Sequence, residues 1–301
     1  MLKSVTSSFN PKESPNEKIL YYCLGGGLGH ITRFMAFCHT LTIKPILITL
    51  RNDYLPNLLS HFASEIFVLP DDFISDKAGL KDWVIDIIKQ NKPTKIIIDA
   101  FPGGILGELS NCNRELDNIE IEYIARILKL DIYKKRLENQ LPHFSKIWQV
   151  EELGNAQTLW LNNLAKTNHI SINRIKLEYP DFDIDSSIPL PQNPWLIIHS
   201  GSDKELQELY EYAKDTALLE NITPNFVLIG QNPKPDFLPK NLPYYKVYPV
   251  TTLLKKSYKV ISGAGFNIMQ QMNDLKEKHI VLPFYRALDD QHLRQKLRCE
   301  I

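Results

Sequence analysis

The chain has 301 residues, enough for two domains of ordinary size, and its composition of 44% hydrophobic and 23% charged residues is that of a globular protein. Lysine plus arginine equals aspartate plus glutamate at 35 each, so the net charge is zero and the basic surface of a nucleic-acid-binding protein is not expected. The cysteines Cys23, Cys38, Cys112 and Cys299 form no C-x-x-C pair, which argues against a zinc site or disulfide framework and favours a reducing, cytoplasmic location.

Membrane insertion is not expected either. No apolar run approaches the ~20 residues that cross a bilayer. Residues 1–17 lack the apolar centre of a secretion signal, and we interpret them as a disordered lead-in. Peripheral contact with a membrane stays open, because one small apolar patch would be enough for it.

A short apolar strand, a glycine turn and a helix open the ordered part of the chain. Ile19 to Leu24 is rich in β-forming residues, the turn reads Gly25-Gly26-Gly27-Leu28-Gly29-His30, and apolar residues then recur at helical spacing up to residue 41. A unit of this kind directs free backbone N–H groups and the positive end of a helix at an anion.

Strands and helices continue to alternate up to residue 178, which predicts a parallel sheet covered by helices on both faces. The predicted strands are Pro45–Leu50, Glu65–Leu69, Lys95–Ala100, Ile119–Ile124 and Lys146–Val150. The predicted helices are Tyr54–Phe62, Leu80–Lys89 and Thr158–Ala165. Asp99 stands near the end of one strand, and Phe101-Pro-Gly-Gly104 forms a loop beyond it, where open α/β sheets place their ligands.

Residues 179–194 are dense in proline and aspartate, which disfavours helix and predicts an extended linker. The alternation then starts afresh. The predicted strands are Trp195–His199, Asn225–Ile229, Tyr244–Tyr248, Tyr258–Ser262 and His279–Leu282. The predicted helices are Asp203–Leu219, Thr251–Ser257, one from Gly265 to about Leu275, and Asp289–Arg298. The sequence therefore predicts an α/β fold of two Rossmann-like domains, 18–178 and 195–301, with parallel sheets that face a cleft.

The glycine turn does not complete a dinucleotide-binding G-x-G-x-x-G fingerprint, because His30 stands where the third glycine is needed. Asp53 would be the ribose-binding acid of such a site. A tight turn with a structurally packed His30 is the second alternative. The third alternative is a chemical role for His30, because a helix N-terminus favours neutral imidazole, which can accept a proton. Arg33, one turn further on, either binds an anion or lies in solvent.

A second strand, turn and helix unit lies in the other half of the chain and again directs N–H groups at a phosphate, although such a turn is also common without a ligand. It consists of Ser262, Gly263, Ala264, Gly265, Phe266 and Asn267. Asp289, Asp290 and Gln291 begin the closing helix, where short acids either cap it or hydrogen-bond sugar hydroxyls. Ser202 to Glu205 fits a capping box, and Ser200 to Ser202 is at most a weak phosphate contact.

Together these segments resemble the GT-B glycosyltransferases, specifically the MurG-like branch and its predicted relatives. Gly29-His30 matches the glycine-rich turn that closes with Gly-His, and Ser262–Asn267 matches the S-G-x-G-[FY]-N turn. The P-F…D-[DE]-Q segment is matched by Pro283-Phe284 and Asp289–Gln291, and Ile98–Glu108 is similar to the D-x-F-P loop of predicted members. The chain departs from the family at Gln270-Gln271, where a ribose-binding glutamate is common, and members usually continue beyond the D-Q helix.

The resemblance implies a metal-independent, inverting glycosyltransferase that moves a sugar from a nucleotide-diphosphate sugar, with UDP as the expected nucleotide, to an acceptor hydroxyl. It requires no separate cofactor, and the D-x-D letters at 181–185 fall in the linker. His30 is the expected base or acceptor-orienting group, with Asp99 as a second candidate. The expected ligand contacts are Gly27, Gly29, Arg33, Ser200, Gly201, Ser262, Gly263, Ala264, Gly265, Phe266, Asn267, Gln271, Asp289, Asp290 and Gln291.

Two other functions stay open on the same scaffold. A sugar-nucleotide hydrolase would share the G-H-x-x-R pattern, here Gly29-His30-Ile-Thr-Arg33, with water in place of the acceptor. A non-catalytic sugar-nucleotide-binding protein would agree with Gln270-Gln271. The sequence does not indicate which sugar and acceptor are used, or the oligomeric state.

Overall fold

The computed structural model of the protein describes residues 17–52, 57–138, 140–181 and 188–300. Three sequence predictions lie outside these ranges: nearly all of the lead-in, Asp53 with the first residues of the predicted helix Tyr54–Phe62, and the centre of the linker. Within them, none of the helices has the length and apolar character needed to cross a membrane.

The strands belong to two sheets. The first contains β1 (Ile19–Cys23), β2 (Ile46–Thr49), β3 (Glu65–Val68), β4 (Lys95–Asp99), β5 (Glu120–Ala125), β6 (Lys146–Gln149) and β7 (Ser171–Arg174). The second contains β8 (Pro194–Ile198), β9 (Asn225–Gly230), β10 (Tyr244–Lys246), β11 (Lys259–Gly263) and β12 (His279–Leu282). The α-helices are α1 (Leu28–Leu41), α2 (Lys77–Asn91), α3 (Leu130–Lys134), α4 (Asn155–Asn168), α5 (Asp203–Leu219), α6 (Thr251–Lys256), α7 (Phe266–Gln271) and α8 (Gln291–Cys299).

All strand pairs in both sheets are parallel. The strand order is β3-β2-β1-β4-β5-β6-β7 in the first sheet and β10-β9-β8-β11-β12 in the second. The predicted fold class, two parallel α/β domains, is confirmed. The predicted boundaries at 178 and 195 stay a prediction; β7 ends at Arg174 and β8 begins at Pro194.

Each sheet has a point where the strand order reverses. In the first it lies between β1 and β4, and in the second between β8 and β11. Neighbouring connections leave such a point in opposite directions and open a crevice at the carboxyl ends of the strands, where α/β proteins bind ligands. Because Tyr22 pairs with Ile98, the glycine turn after β1 and Asp99 at the end of β4 lie side by side.

The first sheet is buried on both faces, which explains its nearly continuous apolar strands. Tyr22 and the side chains that share its face pack into one core with α2, whereas Tyr21 faces the other core with α1. Phe34 and Phe37 of α1 are fully buried there. Burial of each ring stabilises the fold by about 1.5–3 kcal/mol, so α1 is held firmly and places the residues of its first turns at the crevice.

The second domain contacts the first through α7 and α8. Phe266, the first residue of α7, belongs to the core beneath α1, and Leu293 and Leu297 of α8 pack against the core beneath α2. A Cβ added at Gly154 would meet the Leu293 side chain at 2.8 Å, so the backbone before α4 and α8 lie close together. The two domains are therefore joined by packed side chains as well as by the linker.

Four elements differ most from the sequence prediction. The predicted helix from Gly265 to about Leu275 ends at Gln271 and continues as a 3-10 helix, Asn273–Lys278, with a non-helical Leu275. Within its described residues the predicted helix Tyr54–Phe62 contains only a 3-10 turn, Leu59–His61. Strand β7 and the five-residue helix α3 were not predicted; β7 is a short edge strand whose polar residues show no clear alternation.

Candidate active site

His30, Arg33 and Asp99 form one hydrogen-bonded group at the crevice of the first sheet. The Asp99 carboxylate accepts two bonds from the Arg33 guanidinium, at 2.5 Å from Nε and 2.7 Å from Nη2. The Nδ1 atom of His30 lies 3.1 Å from Asp99 Oδ2 and 3.1 Å from Arg33 Nη2. The exposed fractions are 7% for His30, 2% for Arg33 and 0% for Asp99, so the group is almost entirely enclosed.

The glycine turn sets the position of His30. Gly27 has a φ of 78°, in the region that favours glycine, and it precedes the first residue of α1 without a side-chain cap. A Cβ added at Gly25 would overlap the imidazole of His30, whereas one added at Gly26 would meet open space. Gly25 therefore leaves the room that the His30 ring occupies, and Gly26 and Gly27 are exposed at the start of the helix.

Burial and charge decide the protonation of this group. Burial is the main cause that lowers the pKa of His30 to about 4, and the charge of Arg33 also lowers it. The hydrogen bond that Asp99 accepts opposes them, but the ring is neutral near pH 7. Burial would raise the pKa of Asp99, but the charge of Arg33 outweighs it and holds that pKa well below its usual range. A neutral imidazole agrees with the sequence prediction. The prediction gave the helix N-terminus as the reason, whereas burial is the largest cause in the structure.

The tautomer of His30 depends on which neighbour Nδ1 bonds. If Nδ1 donates to Asp99 Oδ2, the lone pair of Nε2 is free to take a proton, which is the arrangement that a neighbouring carboxylate favours. Arg33 Nη2 competes for the same nitrogen as a donor. Among the described residues, the hydrogen bonds of His30 all involve Nδ1.

The side chains of Cys23, His30 and Asp99 lie within 4.8 Å of one another, close enough to be considered as metal ligands. Arg33, however, already binds both oxygens of Asp99 and brings a positive charge to the position that a cation would need. Burial also raises the pKa of the Cys23 thiol, which keeps it protonated rather than in the thiolate form that binds metals. Asp99 is therefore better placed to hold Arg33 than to bind a metal ion.

The loop after β4 covers one side of His30. The ring of Phe101 stacks on the imidazole with centroids 5.7 Å apart, and the guanidinium of Arg126 lies 5.9 Å from the centre of the Phe101 ring. Tyr133 holds the loop by accepting from Gly103 N at 2.9 Å and donating to Gly104 O at 2.8 Å. The loop is therefore a fixed wall of the crevice.

The Ser262–Asn267 turn lies against α1. The side-chain amide of Asn267 donates to Gly29 O at 2.6 Å, and its oxygen accepts from the Tyr179 hydroxyl at 3.2 Å. The Phe266 ring lies 5.3 Å from the Arg33 guanidinium. The structure thus brings Gly29, Arg33, Phe266 and Asn267 together, with the last two side chains in the contact between the domains.

Ser262 is buried beneath this turn. Arg298 donates to His279 Nδ1 at 2.7 Å, which leaves His279 Nε2 to donate to Ser262 Oγ at 2.8 Å, and Ser262 in turn donates to Gly263 O at 3.0 Å. The hydroxyl therefore supports the turn from within. Gly263 and Ala264 are also buried, and Gly265 precedes α7 without a side-chain cap.

Ser200 and Gly201 stand at the crevice of the second sheet, after β8. Ser200 is exposed, and Gly201 lies against His199 and Glu205. Glu205 accepts from Arg286 in a two-pronged pair and lies 2.8 Å from His199 Nε2. The capping box is confirmed in its first half, since Ser202 Oγ accepts from Glu205 N at 3.3 Å. His199 and Arg286 were not predicted as site residues, although His199 directly follows strand β8.

The closing helix uses its predicted residues in three ways. Asp289 accepts from Arg126 Nη1 at 2.5 Å and from Arg294 Nη2 at 2.7 Å. Asp290 caps α8 by accepting from Leu293 N at 3.0 Å, which agrees with the capping interpretation. Gln291 is buried and accepts from Phe284 N at 3.0 Å, so the phenylalanine and the glutamine of the predicted P-F…D-D-Q segment contact each other. Gln271 lies apart from them and accepts from Thr251 at 3.0 Å.

Three charged residues with buried side chains at the domain contact were missed by the sequence analysis: Arg126, Glu151 and Arg294. Arg126 and Glu151 follow β5 and β6 as closely as the loop residues follow β4, so the position after a parallel strand was the signal that could have found them. Arg294 lies within α8 in a charged helical sequence, and no motif distinguishes it from a solvent-exposed arginine.

Comparison with known proteins gives a clear result for structure only. No protein-family model and no curated protein sequence matches this chain. Among solved structures, spinosyn forosaminyltransferase SpnP matches with a TM-score of 0.60 and 10% identity over 94% of this chain and 83% of its own.

Two further structures agree with it. Glycosyltransferase SnogD from Streptomyces nogalater matches with a TM-score of 0.56 and 11% identity over 90% of this chain and 84% of its own. Phytolacca americana UGT2, complexed with UDP-2-fluoroglucose and pterostilbene, has a TM-score of 0.56 and 12% identity over 93% of this chain and 83% of its own. At these identities the likeness concerns the fold, and both sheets are included in it. The chain therefore has the two-domain fold of the GT-B glycosyltransferases.

Proposed function

We propose that the protein is a glycosyltransferase that moves a sugar from a nucleotide-diphosphate sugar to the hydroxyl of an acceptor. The observation that carries this proposal is the enclosed pair His30 and Asp99 at the crevice of the first sheet, next to Gly29, whose carbonyl accepts from Asn267 in the Ser262–Asn267 turn of the second domain. The GT-B fold supports it, because glycosyltransferases are found among its solved members.

In this proposal His30 is the base. Its Nε2 takes the proton of the acceptor hydroxyl while the oxygen attacks the anomeric carbon and the bond from that carbon to the diphosphate breaks. Asp99 holds the ring through Nδ1 and stabilises the imidazolium that forms. Attack from the side opposite the leaving group inverts the configuration at the anomeric carbon.

The donor would lie along the second sheet. Backbone N–H groups after β8 and β11, at Ser200-Gly201 and Gly263–Gly265, would face the diphosphate, in agreement with the position of the crevice. Asp289, Asp290 and Gln291 would close the pocket. UDP is our choice of nucleotide because of the resemblance to the MurG-like branch and because Phytolacca americana UGT2 is complexed with UDP-2-fluoroglucose. No metal is required by this arrangement.

His30→Ala tests the proposal. Loss of a general base lowers turnover by about 10²–10⁴-fold. We expect the affinity for UDP, measured by thermal shift and calorimetry, to change less than about 3-fold, since the donor is bound by the second domain. His143→Ala, at an exposed histidine, is the matched control and should retain full turnover. Unchanged turnover in His30→Ala would remove His30 from the catalytic step.

A sugar-nucleotide hydrolase is the second candidate, and one observation favours it. Arg33, the last residue of the G-H-x-x-R pattern, is not a solvated helix residue but a buried partner of Asp99, so the letters of the pattern form one physical unit. Release of free sugar at catalytic rates without an acceptor would establish this reaction. Tight nucleotide binding with no turnover of any donor would instead favour the non-catalytic function.

A further inference from the structure

Four buried charged side chains cross the contact between the domains; we refer to them as the interdomain ion cluster. The first domain contributes Arg126 and Glu151, and the second contributes Asp289 and Arg294. Arg294 donates to Glu151 from Nε at 2.7 Å and from Nη2 at 2.9 Å, and Arg126 donates to Asp289 at 2.5 Å. Arg294 also donates to Asp289 within the second domain, at 2.7 Å.

The cluster is enclosed and largely satisfied. The exposed fraction of the side chain is 4% for Arg294, 3% for Glu151, 7% for Arg126 and 17% for Asp289. Glu151 also accepts from Ile127 N at 2.7 Å, next to Arg126 in the chain. Among the described residues, Nε of Arg126 is a buried donor without a partner, so the Arg126 side of the cluster is the less satisfied one.

Arg294 connects the two segments that carry the predicted donor contacts. Its Nη1 donates to Ala264 O at 2.9 Å, within the turn after β11, and its guanidinium lies 6.0 Å from the centre of the Phe266 ring. Through Asp289 it contacts the start of α8, and through Glu151 it contacts the first domain. One side chain therefore sets the turn, the closing helix and the opposite domain relative to one another.

The charges are also divided evenly. Each domain contributes one arginine and one carboxylate, so the cluster pairs across the contact when the domains are together. Within the second domain Arg294 also pairs with Asp289, and within the first domain Glu151 accepts from Ile127 N, next to Arg126 in the chain. The cluster therefore adds no net charge to either domain, which lowers the cost of separating them.

We propose that Arg294 is a positioning residue that, through Glu151 and Asp289, places the bound donor against His30 by closing the two domains. The expected effect on kcat rests on the proposed function. The expected effect on the contact between the domains, measured by hydrogen exchange, does not depend on that function. The nucleotide is bound by the second domain alone, whereas transfer needs His30 from the first. Weakening the cluster therefore lowers turnover and leaves the binding of nucleotide nearly unchanged.

The experiment compares Glu151→Gln with Asp274→Asn in the full chain. Glu151→Gln removes the charge that Arg294 meets across the contact and keeps an oxygen for Ile127 N. Asp274→Asn is the matched control: Asp274 also pairs across the contact, with Lys176 at 2.9 Å, but both side chains are about three-quarters exposed. Exposed pairs contribute little. Arg294→Lys, which keeps the charge but loses the two-pronged geometry, is the second variant.

We expect Glu151→Gln and Arg294→Lys to lower kcat by about 10-fold or more, since small errors in placement are costly. Hydrogen exchange of the amides at 125–128 and 263–267 should be faster than in Asp274→Asn. In Glu151→Gln, which changes a residue of the first domain, the KM for the donor and the affinity for UDP should both stay within about 3-fold of wild type. Near-UV circular dichroism at the assay temperature checks that each variant is folded. If Arg294→Lys is not folded, the proposal is tested with Glu151→Gln alone.

The proposal is overturned if Glu151→Gln matches Asp274→Asn in both hydrogen exchange and kcat, or if UDP affinity falls together with kcat. A wild-type protein that binds UDP and turns over no donor would contradict the proposed function instead. In that case the hydrogen exchange of the two variants still decides whether the cluster holds the domains together.

Discussion

At the scale of single residues, the environment of His30 is built by its neighbours in the chain and by one distant acid. Gly25 leaves the space for the ring, Arg33 lies one turn further along α1, and Asp99 comes from β4. Arg33 was predicted as an anion-binding or solvated residue; the structure buries it against Asp99. Its main effect is therefore on Asp99 and, through it, on His30.

Gly25→Ala tests this arrangement. The new methyl group would overlap the imidazole, so we expect His30 to leave Asp99 and turnover to fall by about 10²-fold, the scale of a small misplacement at a reacting group. Gly26→Ala is the matched control, because an added Cβ there meets open space. Enzyme assays with both variants, together with the crystal structure of Gly25→Ala, provide the measurement. Equal activity of the two variants would contradict the packing argument.

At the scale of elements, helix ends explain several residues for which ligand contacts were also considered. Ser202 caps α5 and Asp290 caps α8, each by accepting a backbone N–H in the first turn. Glu205, the other residue of the capping box, turns away to bind Arg286 and lies beside His199. Residue types that suit a sugar hydroxyl also suit a helix end, so sequence alone leaves the two functions unresolved.

Substitutions at Asp290 separate capping from donor binding. Asp290→Ala should lower the free energy of unfolding by about 1 kcal/mol, because the cap of α8 is lost, whereas Asp290→Asn keeps an oxygen that can cap and should stay within about 0.5 kcal/mol of wild type. Urea unfolding measures both. If Asp290 acts only as a cap, Asp290→Asn retains the wild-type KM for the donor. A KM raised 10-fold in a stable Asp290→Asn protein would show that the carboxylate binds donor.

Sequence and structure agree best for long or strongly periodic elements. Helix α5 begins and ends at the predicted residues Asp203 and Leu219, because a buried stripe, a cap and an acidic first turn all indicate the same helix. Helix α7 stops at Gln271, four residues before the predicted end, where the chain tightens into 3-10 geometry. Strand β7 was missed because an exposed edge strand carries little hydrophobic pattern.

At the scale of the whole molecule, several buried histidines make stability depend on pH. Burial lowers the pKa of His30 to about 4, and burial together with Arg298 lowers the pKa of His279 to about 3. An unfolded histidine titrates near 6.5. As the pH falls below that value, the unfolded chain binds protons that the folded chain refuses, so the free energy of unfolding falls until the folded pKa is reached.

His279→Gln isolates one of these contributions. Glutamine can accept from Arg298 and donate to Ser262 as His279 does, but it does not titrate. Between pH 6 and 4 we expect the stability of wild type to fall more steeply than that of His279→Gln, by about 1.4 kcal/mol per pH unit. Urea unfolding across this range measures both slopes. Contributions from carboxyl groups cancel in the comparison, including Glu108, whose pKa is raised by burial. Parallel slopes would show that His279 is not held neutral.

Local patterns in the sequence determined the elements and the fold class of this protein. The alternation of apolar strands with amphipathic helices recurs in both halves, and repeated alternation of this kind favours a parallel sheet covered by helices on its faces. The same logic located the crevices, since ligand-binding loops follow the carboxyl ends of parallel strands. His30, Asp99 and Ser262–Asn267 were identified in this way, and the structure places them around one contact between the domains.

Only the tertiary structure decided which of these groups are partners. Arg33 meets Asp99 across 66 positions of the chain, Glu151 meets Arg294 across 143, and Arg126 meets Asp289 across 163. Hydrophobic periodicity is a property of neighbouring residues, whereas the pairing of charges depends on distance in space and on burial, which a one-dimensional pattern does not contain. The elements of this protein can therefore be read locally, but the electrostatics of its site exist only once both domains are packed together.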